Sequence, residues 1–261
     1  SKGFTFDMGP SWYWMPDVFE KFFKDFGKTS KDFYQLKKLN PAYRVVFDKN
    51  NQIEIGDNIN DISKQFEKIE KGTGNKLINF LRRSKENYEL AVTNMLYKMP
   101  GKSILELINI KTIFKINLFF NNIKNDIERT FKDSKLRSIL QFPVLFLGAK
   151  PSNTPAFYNF MNFADFGLGT WQPKNGFYDV VLAMTKIAKQ QGVHFYTNSE
   201  INKIQVNKGK IEGILIKNTL KKCDIIISGA DYFHTEKLMD KIYRQYSNKY
   251  WKKRTWSPSS L

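Results

Sequence analysis

The chain holds one cysteine, Cys223, and two histidines, His194 and His234. A lone thiol excludes an internal disulfide and a thiolate-based zinc site, and suits a reducing cytoplasm. The two histidines stand in surroundings that make no metal constellation, so no metal is expected. Long apolar runs are missing as well: stretches such as 142–147, FPVLFL with Pro143 inside, fall far short of the roughly 20 residues a membrane span needs. No Gly-x-Ser-x-Gly elbow, P-loop or complete Gly-x-Gly-x-x-Gly occurs. Gly167-Leu168-Gly169 supplies only the first three positions of the last and stands too far before a helix. Repeats and low-complexity tracts are also missing.

Positive charge and aromatic carbon are abundant instead. Lys+Arg of 42 against Asp+Glu of 25 gives +17, a field that attracts phosphate on nucleic acid or on an anionic membrane. The lysines are spread over nearly every helical stretch rather than gathered with exposed aromatics, so a nucleic-acid partner is not expected. A chain of 261 residues can bury a real core in one large or two modest domains. It opens in mid-element at Gly3-Phe4-Thr5-Phe6 and stops at Ser257–Leu261 without a closing element, so both ends are expected to be cut.

Gly9-Pro10 turns the chain into the aromatic triplet Trp12-Tyr13-Trp14. Pro16 then opens a helix whose face of Val18, Phe19, Phe22, Phe23 and Phe26 is closed by Gly27, either as core or as one wall of an apolar pocket. Residues 43–47 and 52–55 read as a hairpin turned at Asp48–Asn51. From Asn58 to Phe131 the pattern is helical, broken at Gly72–Gly74 and Pro100-Gly101. Within it, 110–131 places Ile113, Ile116, Phe120, Ile123 and Ile127 on a stripe flanked by Lys111, Lys115, Lys124 and Lys132. Such a helix either lies in a membrane interface or packs inside a helical subdomain. Near Asp165 the character changes. The glycine-bracketed turn 166–176 feeds an amphipathic helix that Gly192 stops. Val193–Tyr196 and Cys223–Ser228 read as strands around a two-stranded unit, 201–206 and 210–216, and a helix follows from Asp231. The expected class is α/β, α+β overall.

Four segments, FDMGPSWYWMPDVFEKFF at 6–23, QFPVLFLGA at 141–149, DFGLGTWQPKNG at 165–176 and SGADYFHTE at 228–236, together resemble the bacterial and fungal type phytoene desaturases of the flavin-containing amine oxidase superfamily. The likeness runs over essentially the whole chain in the family's order. It implies a partial FAD-binding, Rossmann-like domain with an inserted, mostly helical substrate domain. The implied division is 1–14 as a junction, 15–165 as a membrane-associated substrate domain, 166–238 as part of the FAD-binding domain and 239–261 as a return to the substrate domain. Neither the N-terminal glycine-rich loop nor the C-terminal flavin segment of that family is in the sequence. The implied reaction is hydride removal from a C40 polyene such as phytoene to FAD, on the cytoplasmic face of a membrane and in contact with its lipids, with quinone or oxygen as electron acceptor. Isomerisation, C30 desaturation or carotenoid oxidation within the same superfamily are rival readings, as is a non-catalytic lipid-surface protein.

The resemblance implies flavin contacts at Asp7, Gly9, Pro10 and Ser11, at Gly169, Thr170 and Gly176, at Glu200 and Ile201, and at Gly229, Ala230 and Asp231. Trp12, Tyr13, Trp14 and Phe146 are the expected polyene contacts. Trp171, Lys174 and Asp165 are the expected catalytic residues: Trp171 faces developing cationic charge, Lys174 either steadies the reduced flavin or is an exposed turn lysine, and Asp165, like Asp231, either moves a proton or caps a helix. Gln172 and Asn175 replace the aromatic and glycine expected there. His234 is read as structural.

Overall fold

The computed structural model of the chain describes residues 3, 6, 7, 9, 10, 12–97, 115 and 117–256. Ser11, and residues 110–114 and 116 of the expected interfacial helix, lie outside the described residues. The chain divides into two compact units, Ser1–Gln191 and Gly192–Leu261.

In the first unit, α1 (Pro16–Asp25) starts with proline at its first turn and gives way to Gly27 at φ 66°. Its fully buried Phe23, with Phe19 and Phe22, packs against Tyr13, Tyr34 and one face of the later helix 178–190. Strands β1 (Leu36–Lys38), β2 (Tyr43–Asp48) and β3 (Asn51–Ile55) follow. The β2–β3 hairpin is closed by Asp48, whose carboxylate accepts from Asn50 N at 2.9 Å. Ile53 and Ile55 alternate inward while Gln52 and Glu54 face out. Helix α2 (Ile59–Ile69) is capped by Asn58 and buries Ile62 and Phe66. Glu67 accepts from Gly72 N and Gly74 N at 2.7 and 2.9 Å and so shapes the turn into α3 (Thr73–Tyr88), whose buried face includes Leu77, Phe80, Ser84 and Asn87.

The described part of 110–131 is not one helix. α4 (Asn117–Phe120) ends before Asn122, which is extended and caps α5 (Ile123–Thr130) by accepting from Asn125 N at 2.8 Å. Asparagine favours that cap over helix continuation. Phe120 is 86% exposed, whereas Ile123, Ile127 and Phe131 are fully buried beside Phe66, Phe80 and Leu136. Over 123–131 the apolar stripe is core, not a membrane face. α6 (Ser134–Gln141) leads into a 3-10 stretch, Phe142–Leu147, and residues 156–167 form a composite helix of 3-10, α and π turns that packs on α3. β4 (Trp171–Pro173) pairs antiparallel with β1, Lys38 opposite Trp171. α7 (Tyr178–Gln190) then turns Val180, Ala183 and Ile187 inward and is ended by Gly192 at φ 82°.

The second unit is built on an antiparallel meander, β5 (Ile201–Asn207), β6 (Lys210–Ile216) and β7 (Thr219–Lys222). Residues 193–196 and 223–228 are not strands. Ile225 and Ile227 are 78% and 93% exposed, and neither run forms a strand pairing with any described residue. Apolar β-branched residues favour an extended backbone, but a strand exists only where a neighbour takes its N–H and C=O groups. The described sheets are all antiparallel. The structure is a mixed α/β one. α8 (Tyr232–Lys237) and α9 (Asn248–Lys252) complete the unit around the buried Glu236.

Candidate functional site

Residues 12–14 form an extended rung beside β4: Tyr13 and Trp171 exchange backbone hydrogen bonds of 3.2 and 3.1 Å. Alternation then sends Tyr13 to one side and Trp12 and Trp14 to the other. Tyr13 is fully buried, its hydroxyl 2.8 Å from that of Tyr34, and burial with that neighbour holds its pKa far above the usual phenol range. It is a core residue rather than a pocket wall.

Trp12 and Trp14 meet the 3-10 stretch on the other side. Their rings lie 6.0 Å apart; Trp12 stands edge-on to Phe142 and Phe146 at 5.8 and 5.0 Å, and Trp14 to Phe146 at 5.0 Å. Edge-to-face packing of this kind is the favoured aromatic geometry. Trp14 Nε1 donates to the buried Thr170 Oγ1 at 2.7 Å, which ties the cluster to the central turn. Phe146 is 49% exposed, and Leu145 and Leu147 beside it are open as well, so the cluster has an open apolar side.

Tyr43, missed in the sequence, stands at the foot of this cluster, its ring 5.8 Å from Phe142. Its hydroxyl donates to Asp165 Oδ2 at 2.6 Å. Asp165 is buried; burial pushes its carboxyl up to about 7, partly offset by the Tyr43 hydrogen bond. Tyr43 is in turn driven well above the ordinary phenol range by burial and by the Asp165 charge. Asp165 is thus not a helix cap, whereas Asp231 is one, accepting from His234 N at 2.9 Å.

A second feature joins distant segments. Asp7 accepts from Phe177 N at 2.8 Å and Tyr178 N at 3.2 Å, capping the start of α7. A Cβ on Gly176 would stand 2.6 Å from Asp7 Oδ2, and Gly176 has φ 98°, so glycine is required twice over. Likewise a Cβ on Gly169 would meet Lys38 Cε at 2.4 Å. Lys38, also unforeseen, runs past that glycine with its ammonium 6.0 Å from the Trp171 ring centre and donating to Asp57 O at 3.0 Å. Trp171 itself is held by Nε1 donating to Leu168 O at 3.0 Å. Lys174 is exposed and makes no side-chain bond among the described residues. Beside Asp7 opens a cavity of about 810 Å³ lined by Phe6, Pro10, Asn175, Phe177, Val181 and Met184 among others.

Of the expected residues, Trp12, Trp14 and Phe146 come together, as do Asp7, Pro10 and Gly176. Ser11 lies outside the described residues. Glu200, Ile201, Gly229, Ala230 and Asp231 belong to the second unit, where Glu200 precedes β5, Ile201 opens it and the other three lie exposed before α8. Nothing in the local sequence marks Tyr43 or Lys38, because each matters through a partner far along the chain.

The pattern of the flavin-containing amine oxidoreductases matches residues 1–239, and the chain belongs to that family. It is 35% identical over 266 residues to the carotenoid 3,4-desaturase of Haloarcula japonica, covering 99% of this chain and 53% of that protein. It is 27% identical over 242 residues to the zeta-carotene-forming phytoene desaturase of Myxococcus xanthus, covering 91% and 47%. The phytoene desaturase of Phycomyces blakesleeanus is 28% identical over 237 residues, with 88% and 40% covered. The chain thus spans about half the length of these relatives. A solved oxidoreductase from Methanosarcina mazei superposes with a TM-score of 0.49 at 18% identity, covering 88% of this chain and 47% of that one.

The family implies FAD, and the residues fit part of it. The apolar cavity beside Asp7 and the Gly176 turn suits one wall of a flat ring system. The start of α7 does not suit a diphosphate, since Asp7 already takes its Phe177 and Tyr178 N–H groups. Over Gly169 and Gly176 the free space is occupied by Lys38 and Asp7 side chains.

Proposed function

We propose that the protein is an FAD-dependent desaturase of long polyenes, with a phytoene-like carotenoid precursor as substrate. The observation that carries this reading is the open aromatic cluster of Trp12, Trp14, Phe142 and Phe146, tied at its base to Tyr43 and Asp165. FAD would supply a hydride acceptor, with quinone or oxygen taking the electrons onward. Pro10, Asn175 and Phe177 around the Asp7 cap would form a wall for its ring.

A hydrocarbon has no polar handle, so its binding rests on apolar area at about 25 cal/mol per Å². The Trp and Phe edges and faces provide that area, exclude water, and their negative ring faces stabilise positive charge developing on the polyene. Asp165, with its carboxyl at about 7 and Tyr43 hydrogen-bonded to it, is suited to hold or release a proton near neutral pH. Lys174, exposed, has no side-chain partner among the described residues that would fix a role.

Residues 142–147 and the net charge of +17 support attachment to an anionic membrane on its cytoplasmic side, the open Leu145, Phe146 and Leu147 entering the interface. No helix among the described residues is long and apolar enough to cross a membrane.

The 35% identity to a carotenoid 3,4-desaturase favours a second reading, dehydrogenation of an already conjugated carotenoid. Expression of the full-length gene in a bacterium that accumulates phytoene tests the first: new pigments with longer conjugation are expected. Unchanged phytoene, with conversion only in a host that supplies a conjugated carotene, selects the second.

A further inference from the structure

We propose that the second unit carries a binding site for the headgroup of an anionic phospholipid, built from α8, α9 and the chain that follows. An open cavity of about 340 Å³ lies there, lined by Phe233, Lys237, Asn248, Trp251, Lys252 and Trp256. Aromatic carbon and two ammonium groups therefore share one cavity. That pairing suits an amphiphile with a phosphate at its polar end, since lysine lays its apolar stem along hydrocarbon and keeps its charge at the headgroup.

The walls are fixed before any ligand arrives. Trp251 Nε1 donates to the buried Glu236 at 2.7 Å, and the Phe233 ring packs 5.3 Å from both Trp251 and Trp256. The two indoles lie nearly parallel, 10° apart with centres at 5.8 Å. Trp256 is 53% exposed and gives the cavity its open side. An indole that is half wet and half packed on apolar carbon suits the headgroup level of a bilayer.

The charge around the cavity has one sign. From 241 to 256 the sequence holds no acidic residue, while Lys249, Lys252, Lys253 and Arg254 are all exposed. The carboxylates just before that stretch are already engaged: Glu236 is buried on the N–H groups of Gln245, Tyr246 and Trp251, and Asp240 pairs with Lys203 at 2.9 Å. Lys237 and Lys252 form no ion pair among the described residues, so both can meet a phosphate. Nucleic acid also seeks cations, but it stacks its bases on open ring faces. Here Lys237 Nζ lies over the Phe233 ring at 4.1 Å and the Arg254 guanidinium over the Tyr250 ring at 4.0 Å, so cations cover those faces. A lipid needs only apolar ring surface and positive charge. The site lies wholly in the second unit and rests neither on the desaturase reading nor on residues 142–147.

The test titrates full-length protein onto phosphatidylcholine vesicles with and without phosphatidylglycerol. Binding should require the anionic lipid and weaken as salt rises. Lys237→Gln/Lys252→Gln should bind the anionic vesicles about thirtyfold more weakly, equivalent to about 2 kcal/mol for two charges at a membrane surface. Trp256→Ala should weaken binding as well. Lys221→Gln/Lys222→Gln removes the same charge from β7, outside the cavity, and should lose less than about threefold. All of these side chains are exposed, so the variants should unfold as the parent does. Equal losses in the two lysine pairs mean a diffuse attraction and overturn the site, as does a parent protein indifferent to phosphatidylglycerol. A Lys237→Gln/Lys252→Gln protein that keeps its vesicle binding but loses a single-stranded oligonucleotide gives the cavity to nucleic acid and overturns the lipid assignment. A loss confined to Phe146→Ala leaves the 142–147 contact standing and removes this one. No flavin or polyene enters the assay, so the desaturase reading stands or falls separately.

Discussion

Tyr43, on the first strand of a hairpin, and Asp165, in the last turn of a composite helix 122 positions later, share a hydrogen bond of 2.6 Å between phenol and buried carboxyl. The bond anchors the aromatic cluster to the polar interior at a strongly perturbed carboxyl. It also sets how stability varies with pH. Folded Asp165 keeps its proton to about pH 7, against 3.8 for an ordinary aspartate, chiefly through burial. The folded state therefore binds the extra proton, and this contribution is full below about pH 4 and lost as pH rises through 7. About 2–3 kcal/mol of it disappears between pH 5 and pH 8. In urea titrations at those two pH values, Asp165→Asn should lack this decline. A mutant that loses as much as the parent contradicts the assignment.

Asp7 and Gly176 should behave as a coupled pair. Asp7→Ala removes the cap of α7 and should cost about 1 kcal/mol. Gly176→Ala should cost about 1–3 kcal/mol, because its φ is strained for alanine and the new methyl meets the Asp7 carboxylate. With Asp7 already gone, only the backbone strain remains. A double-mutant cycle should thus show coupling of about 0.5 kcal/mol or more, and strictly additive costs speak against the contact.

Phe146 and Trp14 separate substrate contact from scaffold. Phe146 is half exposed, so Phe146→Ala should lower stability by less than about 1 kcal/mol while raising KM for a polyene several-fold. Trp14→Phe keeps an aromatic ring but leaves Thr170 Oγ1 without its donor, and should cost about 1–3 kcal/mol. Thermal melting and steady-state kinetics of the full-length protein distinguish the two. A large Tm loss in Phe146→Ala would move that residue into the core.

In the second unit, Glu236 receives Gln245 N at 2.8 Å and Tyr246 N at 3.1 Å on one oxygen, and Trp251 Nε1 at 2.7 Å on the other. Glu236→Ala leaves these donors unanswered and should destabilise the unit by about 3 kcal/mol or more; Glu236→Gln keeps part of the acceptance and should lose less. Tryptophan emission during unfolding is the readout. Equal losses for the two variants contradict the role given to the carboxylate.

Local patterns in the sequence were legible where their cause is local. The hairpin at 43–55 announces itself through Asp48 and the asparagines of its turn, and α7 through its apolar spacing and Gly192. Third-strand β7 was missed because its turn uses Lys217 and Asn218 at positive φ, with no glycine to mark it. Ile225 and Ile227 look like buried strand by composition, yet burial depends on neighbours that composition does not name. The stripe over 110–131 ignored the capping power of Asn122. At the site, aromatic richness pointed to Trp12, Trp14 and Phe146, whereas Tyr43 and Lys38 gain their meaning only from Asp165 and Gly169, which folding brings to them.

The central claim, oxidation of a hydrocarbon polyene by this flavoprotein, is tested most directly in a single anaerobic turnover. Purified full-length protein loaded with FAD is mixed with vesicles carrying phytoene, and the flavin and polyene absorbances are followed together. The account predicts loss of oxidised-flavin colour matched one for one by a product with longer conjugation, and slower turnover when Trp12 or Phe146 is replaced by alanine. Folded, flavin-loaded protein that leaves both absorbances unchanged with phytoene and with conjugated carotenes alike contradicts it.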